Sequence, residues 1–374
     1  MPYPPEILDI AFKRAIAHIT EPIVKNPEIV DRVERVCRNI RNRACVRLLL
    51  ACLLAKIHKP EIDIRKPYTE IGDSDSYSGR TYDEKYISSF IVKYDLPCNP
   101  TTAFLTPALR NRNITLTPDV ELEGRPKELY KNVLQLLTDV HTNKVSADDL
   151  FAETIRCLLI FRNERQQRMQ TLLAGLKTSE DILPLSAEDI VTLIEQHLNC
   201  RGASRLPVLV VAAAYQAAED RLGERVLPLQ AHTAADERTG ALGDLEITLI
   251  NDDNVITSYE MKMKRVTKLD IDRALQKINN RGKKIDNYIF ITTDIIDDDV
   301  KEYARSIYEK TEGIEVVILD CIGFLRHFLH LFHRLRYQFL EAYQKLLLEE
   351  PESSVRQELK EAFLALRQAA ESAE

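Results

Sequence analysis

Apolar residues recur at three- and four-residue steps over positions 4–19, 27–40 and 43–58, which predicts three helices at the start of the chain. The spacing returns over 127–142 and 146–171, and again over 178–200, where Ser186 stands as a helix cap. A further apolar helix is predicted over 207–222, with an Ala-rich run from Ala212 to Ala218. From residue 59 to 126 the periodicity lapses, and proline, glycine, serine and tyrosine interrupt short apolar pieces such as 86–92. Loops of this length in a compact protein are usually functional.

Beyond residue 222 the period changes. Positions 226–230 read as a short strand, and 243–250 and 255–264 as two strands joined by the polar turn Asn251-Asp252-Asp253-Asn254. A helix over 269–279, a buried strand over 288–292, a helix over 300–310 and a strand over 314–319 follow. The order helix, three strands, helix, strand, helix, strand predicts an α/β architecture with a mixed sheet flanked by helices. Residues 321–350 read as one long amphipathic helix, with Leu325, Phe328, Phe332, Leu335, Phe339, Ala342 and Leu346 in an a/d seam. That seam packs against this chain's own helices or against a second subunit. His327, His330 and His333 fall within it, but without a fourth ligand the seam explains the region better than a metal does. The expected organisation is a helical N-terminal domain over 1–200, a sheet domain over 201–320 entered through 201–207, and C-terminal helices over 321–374.

The chemistry concentrates in the strand pair. Glu260 and Lys262 are two apart, so they share a strand face, while Met261 and Met263 point into apolar packing. Asp244 lies at the far end of the partner strand. A symmetric two-residue turn at Asp252-Asp253 would set Asp244 against Met261 and send the carboxylates to opposite faces. Convergence therefore requires an odd loop or a bulge, and bulges are common beside active sites. Two carboxylates can hold a hard cation such as Mg²⁺. A neighbouring lysine can orient or deprotonate its water, which suits phosphodiester hydrolysis. The bland alternative is a solvated charge pair at a strand edge.

With these residues in place, positions 205–320 resemble the PD-(D/E)xK nuclease superfamily, the core of many type II restriction endonucleases. Asp244 matches the first carboxylate, and Glu260 and Lys262 match the Glu-x-Lys half, with Gly243 where the motif has proline. Glu246, on the same strand face as Asp244, is a competitor for the first carboxylate. The resemblance further implies roles for Glu219 on the preceding helix and Gln276 on the following one, and a metal contact from the backbone carbonyl of Met261. The stretches Tyr77-Ser-Gly-Arg-Thr-Tyr-Asp-Glu-Lys-Tyr and Leu96-Pro-Cys-Asn-Pro-Thr-Thr-Ala-Phe-Leu resemble the SacI family of restriction endonucleases. Together these imply a Mg²⁺-dependent, site-specific deoxyribonuclease leaving 5′-phosphate ends. They imply a homodimer on a short palindromic duplex site, and a companion DNA methyltransferase acting on the same site. A catalytically inactive DNA-binding or interaction protein on a nuclease fold stays open, as does a structure-selective repair nuclease.

Composition adjusts this picture in three ways. The net charge of −7 excludes a bulk polycation, so DNA must be held by a local patch. One is present between Asn254 and Ile285, where nine cationic and three anionic side chains leave +6; Lys264, Arg265, Lys268, Lys283 and Lys284 are its phosphate-binding candidates. A second set, Arg80, Lys85, Arg110 and Arg112, lies in the 76–112 segment, where arginine can read guanine in the major groove. Its alternative is an ordered loop that satisfies its own backbone. The seven scattered cysteines include no Cys-x-x-Cys pair, which argues against a zinc ribbon and for a reducing, cytoplasmic setting. No signal peptide is visible at the N-terminus, and the longest apolar run, 48–57, is too short to span a bilayer.

Overall fold

The computed structural model describes residues 3–176, 185–229, 241–252, 254–281 and 285–372. It divides into two compact units, Met1–Arg168 and Met169–Glu374. The boundary falls earlier than the patterning suggested, because helices before residue 200 and after residue 321 pack with the sheet.

The first unit is helical. Its main helices are α1 (Pro4–Ala17), α2 (Pro27–Cys37), α3 (Ala44–His58), α4 (Gly79–Tyr82), α5 (Ser88–Lys93), α6 (Lys127–His141) and the long α7 (Ala147–Ala174), which crosses the unit boundary. Asn26 caps α2 by accepting the Glu28 N–H, and Pro27 opens that helix where its missing N–H costs nothing. α3 is buried on nearly every side from Ala44 to Ala55, so its apolar character runs around the helix instead of along one stripe. The expected recognition loops are more ordered than their composition indicates. Residues 83–87 form a π-helical turn between α4 and α5. Tyr77, Tyr82, Phe90, Phe104 and Leu109 are all buried.

The second unit holds one five-stranded sheet, β1 (Glu224–Val226), β2 (Leu245–Leu249), β3 (Val255–Lys262), β4 (Asn287–Thr292) and β5 (Glu315–Asp320), in sequential order. β1, β2 and β3 are antiparallel, whereas β3, β4 and β5 are parallel. The first strand sits earlier than 226–230 and shares only Val226 with that expectation. Gln230 lies outside the described residues.

The two sheet faces carry different partners. Leu245, Ile247, Tyr259 and Ile291 pack with α8 (Ala187–Leu198), α9 (Leu206–Leu222) and the C-terminal helices. Tyr288, Phe290, Val316 and Ile318, one residue out of phase, pack with α10 (Lys268–Arg281) and α11 (Asp298–Lys310). Ser186 caps α8 as expected, exchanging hydrogen bonds with Asp189. The segment 201–207 is no linker: Arg205 is buried and its guanidinium pairs with Glu350 at 2.8 Å.

The expected single helix over 321–350 is broken. It forms α12 (Cys321–Leu331), a 3₁₀ turn (His333–Leu335) and α13 (Arg336–Glu349), followed by α14 (Gln357–Ser372). The seam is internal: Leu325, Phe328 and Phe339 are buried in the cluster shared with α8 and α9. Within it His197 is fully buried, its Nδ1 2.9 Å from the Tyr343 hydroxyl and its Nε2 2.9 Å from the Leu359 carbonyl. Among the described residues no helix is long and apolar enough to cross a membrane.

Candidate active site

A bulge sets the site. Ile247 pairs with Thr257, but Thr248 pairs with Val255, which leaves Ile256 as the extra residue on β3. Past the bulge the register holds through the Leu245–Tyr259 pair, and Asp244 stands one residue before β2 begins. The Asp244 N–H donates to the Tyr259 carbonyl at 2.8 Å, and Asp244 Oδ2 accepts the Met261 N–H at 2.7 Å. Gly243 is required by close approach. A Cβ there would sit 2.4 Å from the Tyr259 carbonyl oxygen, so the proline of the motif would collide with β3.

The competitor Glu246 opposes Ser258, and its Oε1 accepts the Leu242 N–H at 2.8 Å. It holds the turn that leads into Asp244. The Ser258 hydroxyl on that face is buried and has no partner among the described residues. Such an unmet group is usually satisfied by ordered water.

Glu260 is the hub. Its Oε1 lies 2.9 Å from Lys262 Nζ; its Oε2 accepts the Tyr288 hydroxyl at 2.6 Å and faces Lys277 Nζ at 3.4 Å. Lys262 Nζ also reaches Asp270 Oδ1 at 3.4 Å. Burial by itself would raise the Glu260 carboxyl, but hydrogen bonds from Tyr288 and Lys262 and the charges of Lys277 and Lys262 hold it below its ordinary value. Burial works against the Lys262 ammonium, yet Glu260 and Asp270 raise its pKa above the usual lysine value. Lys262 is thus held between two carboxylates on one side of the sheet. Burial disfavours the Asp270 anion too, and is outweighed by hydrogen bonds from Thr267 and by Lys262.

The helix after β3 contributes differently from the expectation. Gln276 is exposed, whereas Asp270 and Lys277, seven residues apart and so on one helix face, meet Lys262 and Glu260. Their signal in the sequence was that spacing, on the face of the buried Ile271, Ala274 and Ile278. Glu219 is half-buried on α9, the helix that packs on the opposite sheet face, and its carboxylate makes no hydrogen bond or ion pair among the described residues. One turn earlier on that helix, the Tyr215 hydroxyl meets the Tyr259 hydroxyl at 2.8 Å. Met261 is partly buried as expected, but Met263 lies beyond the end of β3 and is 40% exposed. Among the described residues no three His, Cys, Asp or Glu side chains are gathered as a metal-holding group.

The basic patch is less bare than its sequence count. Arg265 pairs with Asp297 at 3.2 Å and Lys268 with Asp299 at 2.9 Å, both acids standing at the start of α11. Lys264 is exposed; Lys283 and Lys284 lie outside the described residues.

In the first unit, Arg80 is exposed and paired with Glu84, Lys85 lies 5.4 Å from the Tyr86 ring, and Arg110 is exposed. Arg112 Nε donates to the Ala108 carbonyl at 3.0 Å, and its NH2 lies 3.5 Å from Glu123. Much of the remaining polarity of this segment is structural. Asp83 is fully buried, pairs with Arg47 at 2.6 Å and accepts the Thr102 hydroxyl. Asn99 and Ser78 bond locally to Thr101 and Thr81. No protein-family model matches this chain, and a search of curated proteins finds no match to it.

Proposed function

We propose that this chain is a Mg²⁺-dependent endonuclease that hydrolyses phosphodiester bonds of duplex DNA at a short, two-fold symmetric site, leaving 5′-phosphate ends. The observation that carries this reading is the hydrogen bond from the Met261 N–H to Asp244 Oδ2, which ties one carboxylate to the strand that carries Glu260 and Lys262, themselves paired at 2.9 Å. An antiparallel hairpin that continues into a parallel β3–β4 pair supports a core of the PD-(D/E)xK kind.

The donor set fits a hard cation. It offers carboxylates and no thiolate or imidazole, and the unpartnered Ser258 hydroxyl implies water close by. Asp244 and Glu260 would hold the ion, with the Met261 carbonyl as a further oxygen donor. Such an ion supplies charge neutralisation at the phosphate and a bound water of lowered pKa.

The side chains do the rest. Lys262, fixed between Glu260 and Asp270, presents an ammonium that orients the attacking water and offsets the charge growing on the phosphoryl oxygens. Lys277 brings a second cation to the same carboxylate. Each chain carries one such site, so cutting both strands calls for a homodimer, as two-fold proteins match two-fold DNA sites. The 325–346 seam is internal and leaves that interface to another surface. A companion methyltransferase protecting the same site belongs to this proposal. So does a reducing, cytoplasmic setting, with which seven free cysteines agree.

A second reading rests on the same contacts. Both Glu260 oxygens already have donors, as in a structural ion-pair network inside a DNA-binding or interaction protein. Incubating the purified chain with supercoiled plasmid, with and without Mg²⁺, tests the choice. Mg²⁺-dependent discrete fragments are expected. Intact plasmid over a range of DNA sequences overturns the nuclease reading, and random nicking overturns site specificity. Light scattering of the DNA complex tests the dimer; one chain per duplex with both strands cut in one encounter overturns it.

A further inference from the structure

Tyr288 is a buried phenol in the middle of the candidate site, and nothing in the sequence pattern marks it beyond a strand position. It is fully enclosed on β4, and among the described residues its hydroxyl oxygen has partners on two other segments. One is Glu260 Oε2 on β3, at 2.6 Å; the other is the carbonyl oxygen of Leu242, at 3.1 Å. Leu242 lies two residues before Asp244. The phenol thus ties together the strand bearing Glu260 and the segment that delivers Asp244.

We propose that Tyr288 is a positioning residue, whose hydroxyl, braced at the Leu242 carbonyl, holds the Glu260 carboxylate beside Asp244 so that the two can share one divalent cation. This rests on the nuclease reading for its purpose but not for its geometry. A phenol has one proton to give. The shorter contact, to an ionised carboxylate, takes it in the structure as it stands. Were Glu260 to turn that oxygen toward a cation, the same proton could pass to the Leu242 carbonyl by rotation about the C–O bond. The ring would not move, and no buried hydroxyl would be left unmet. The other donor to this oxygen, Lys277, is 29% exposed and has solvent to withdraw into. Around Glu260 the charged groups are Lys262 on its own strand, Lys277 on α10, and Asp244 across the hairpin; Asp270 reaches it through Lys262. Tyr288 is the uncharged member that fixes their geometry. Outer partners that orient a metal ligand are typically worth tenfold or more in metal affinity.

The test is Mn²⁺ binding to the full chain, followed by electron paramagnetic resonance, in wild type and in Tyr288→Phe, Tyr259→Phe and Glu260→Gln. Wild type is expected to bind an ion that Glu260→Gln loses. Tyr288→Phe should bind it about tenfold more weakly. Tyr259→Phe, which loses a buried hydroxyl contact on the other sheet face, should melt lower but bind as wild type. Equal Mn²⁺ affinity in Tyr288→Phe and wild type overturns the proposal, as does an equal loss in Tyr259→Phe or no ion bound by wild type. Ion binding weakened in Tyr288→Phe, in a protein that never cuts DNA, supports the positioning role and removes the nuclease reading.

Discussion

Asp244 Oδ2 accepts the backbone N–H of Met261 at 2.7 Å, and Met261 is the residue that separates Glu260 from Lys262. One hydrogen bond therefore locks the first carboxylate to the strand that carries the second carboxylate and the lysine. Farther along the same hairpin Ile256 bulges out of β3, so the two strands do not keep one regular register.

Glu260→Gln, Asp244→Asn and Lys262→Ala should each lower Mg²⁺-dependent plasmid cleavage by about a hundredfold or more, as removal of a group aimed at transition-state charge does. Glu246→Gln keeps an acceptor for the Leu242 N–H and should cut nearly as wild type. Cleavage rates under single-turnover conditions check this, with circular dichroism to confirm folding. An inactive Glu246→Gln beside an active Asp244→Asn would move the first carboxylate two residues along β2.

The paired cations of the basic patch give a sign that a bare patch would not. Arg265 and Lys268 are neutralised by Asp297 and Asp299. Asp297→Asn with Asp299→Asn should tighten DNA binding and steepen its dependence on salt by up to about two in log–log slope. Arg265→Ala with Lys268→Ala should flatten that slope by less than two, because both side chains are already engaged. Equilibrium binding of one duplex between low and moderate salt measures both. An unchanged slope in the double Asn variant would place these cations away from phosphate.

The 76–112 segment separates into structural and exposed arginine partners. Arg47→Ala strands the buried Asp83 carboxylate and should cost about 3–5 kcal/mol, a large part of the stability of an ordinary domain. Arg110→Ala removes an exposed side chain and should leave the urea midpoint within experimental error. If the loop reads bases, Arg110→Ala lowers the preference for the cleavage site over a one-base variant while non-specific binding holds. Equal losses on every sequence would make the segment scaffold alone.

Legibility of the sequence tracked how local each determinant was. The succession of helices and strands and the mixed sheet were legible in the apolar patterning, and the parity of the Asp244-to-Glu260 spacing already demanded an odd loop or a bulge for the two to converge. The position of the bulge was not legible, since Val255-Ile256-Thr257 is ordinary β-branched strand sequence with no glycine or proline to mark it. Lys277 and Asp270 were missed because charged helix residues look solvated; only the tertiary contact with β3 gives them partners. The break at Phe332 was hidden for a related reason. Neither glycine nor proline stands between Phe324 and Glu350, and the apolar seam keeps its phase through the 3₁₀ turn. The unit boundary was misplaced because Arg201-Gly-Ala-Ser-Arg-Leu-Pro has the composition of a linker, while its Arg205 is buried against Glu350.

His197 makes the stability of the second unit depend on pH. Its ring is enclosed between Tyr343 and Leu359, and burial pulls its pKa down to about 4, the hydrogen bond to the Leu359 carbonyl opposing this only in part. The folded unit thus excludes a proton that the unfolded chain binds near pH 6.5. The neutral ring's stabilisation is complete above that pH. It declines as pH falls from 6.5 toward 4, because the unfolded state then binds more protons. The loss across that window should reach about 3 kcal/mol. Urea midpoints at pH 7.5, 5.5 and 4.5 should fall steadily in wild type. His197→Gln cannot titrate, so it should start lower and decline less over the same range. Parallel declines in the two proteins would assign the acid sensitivity to other groups.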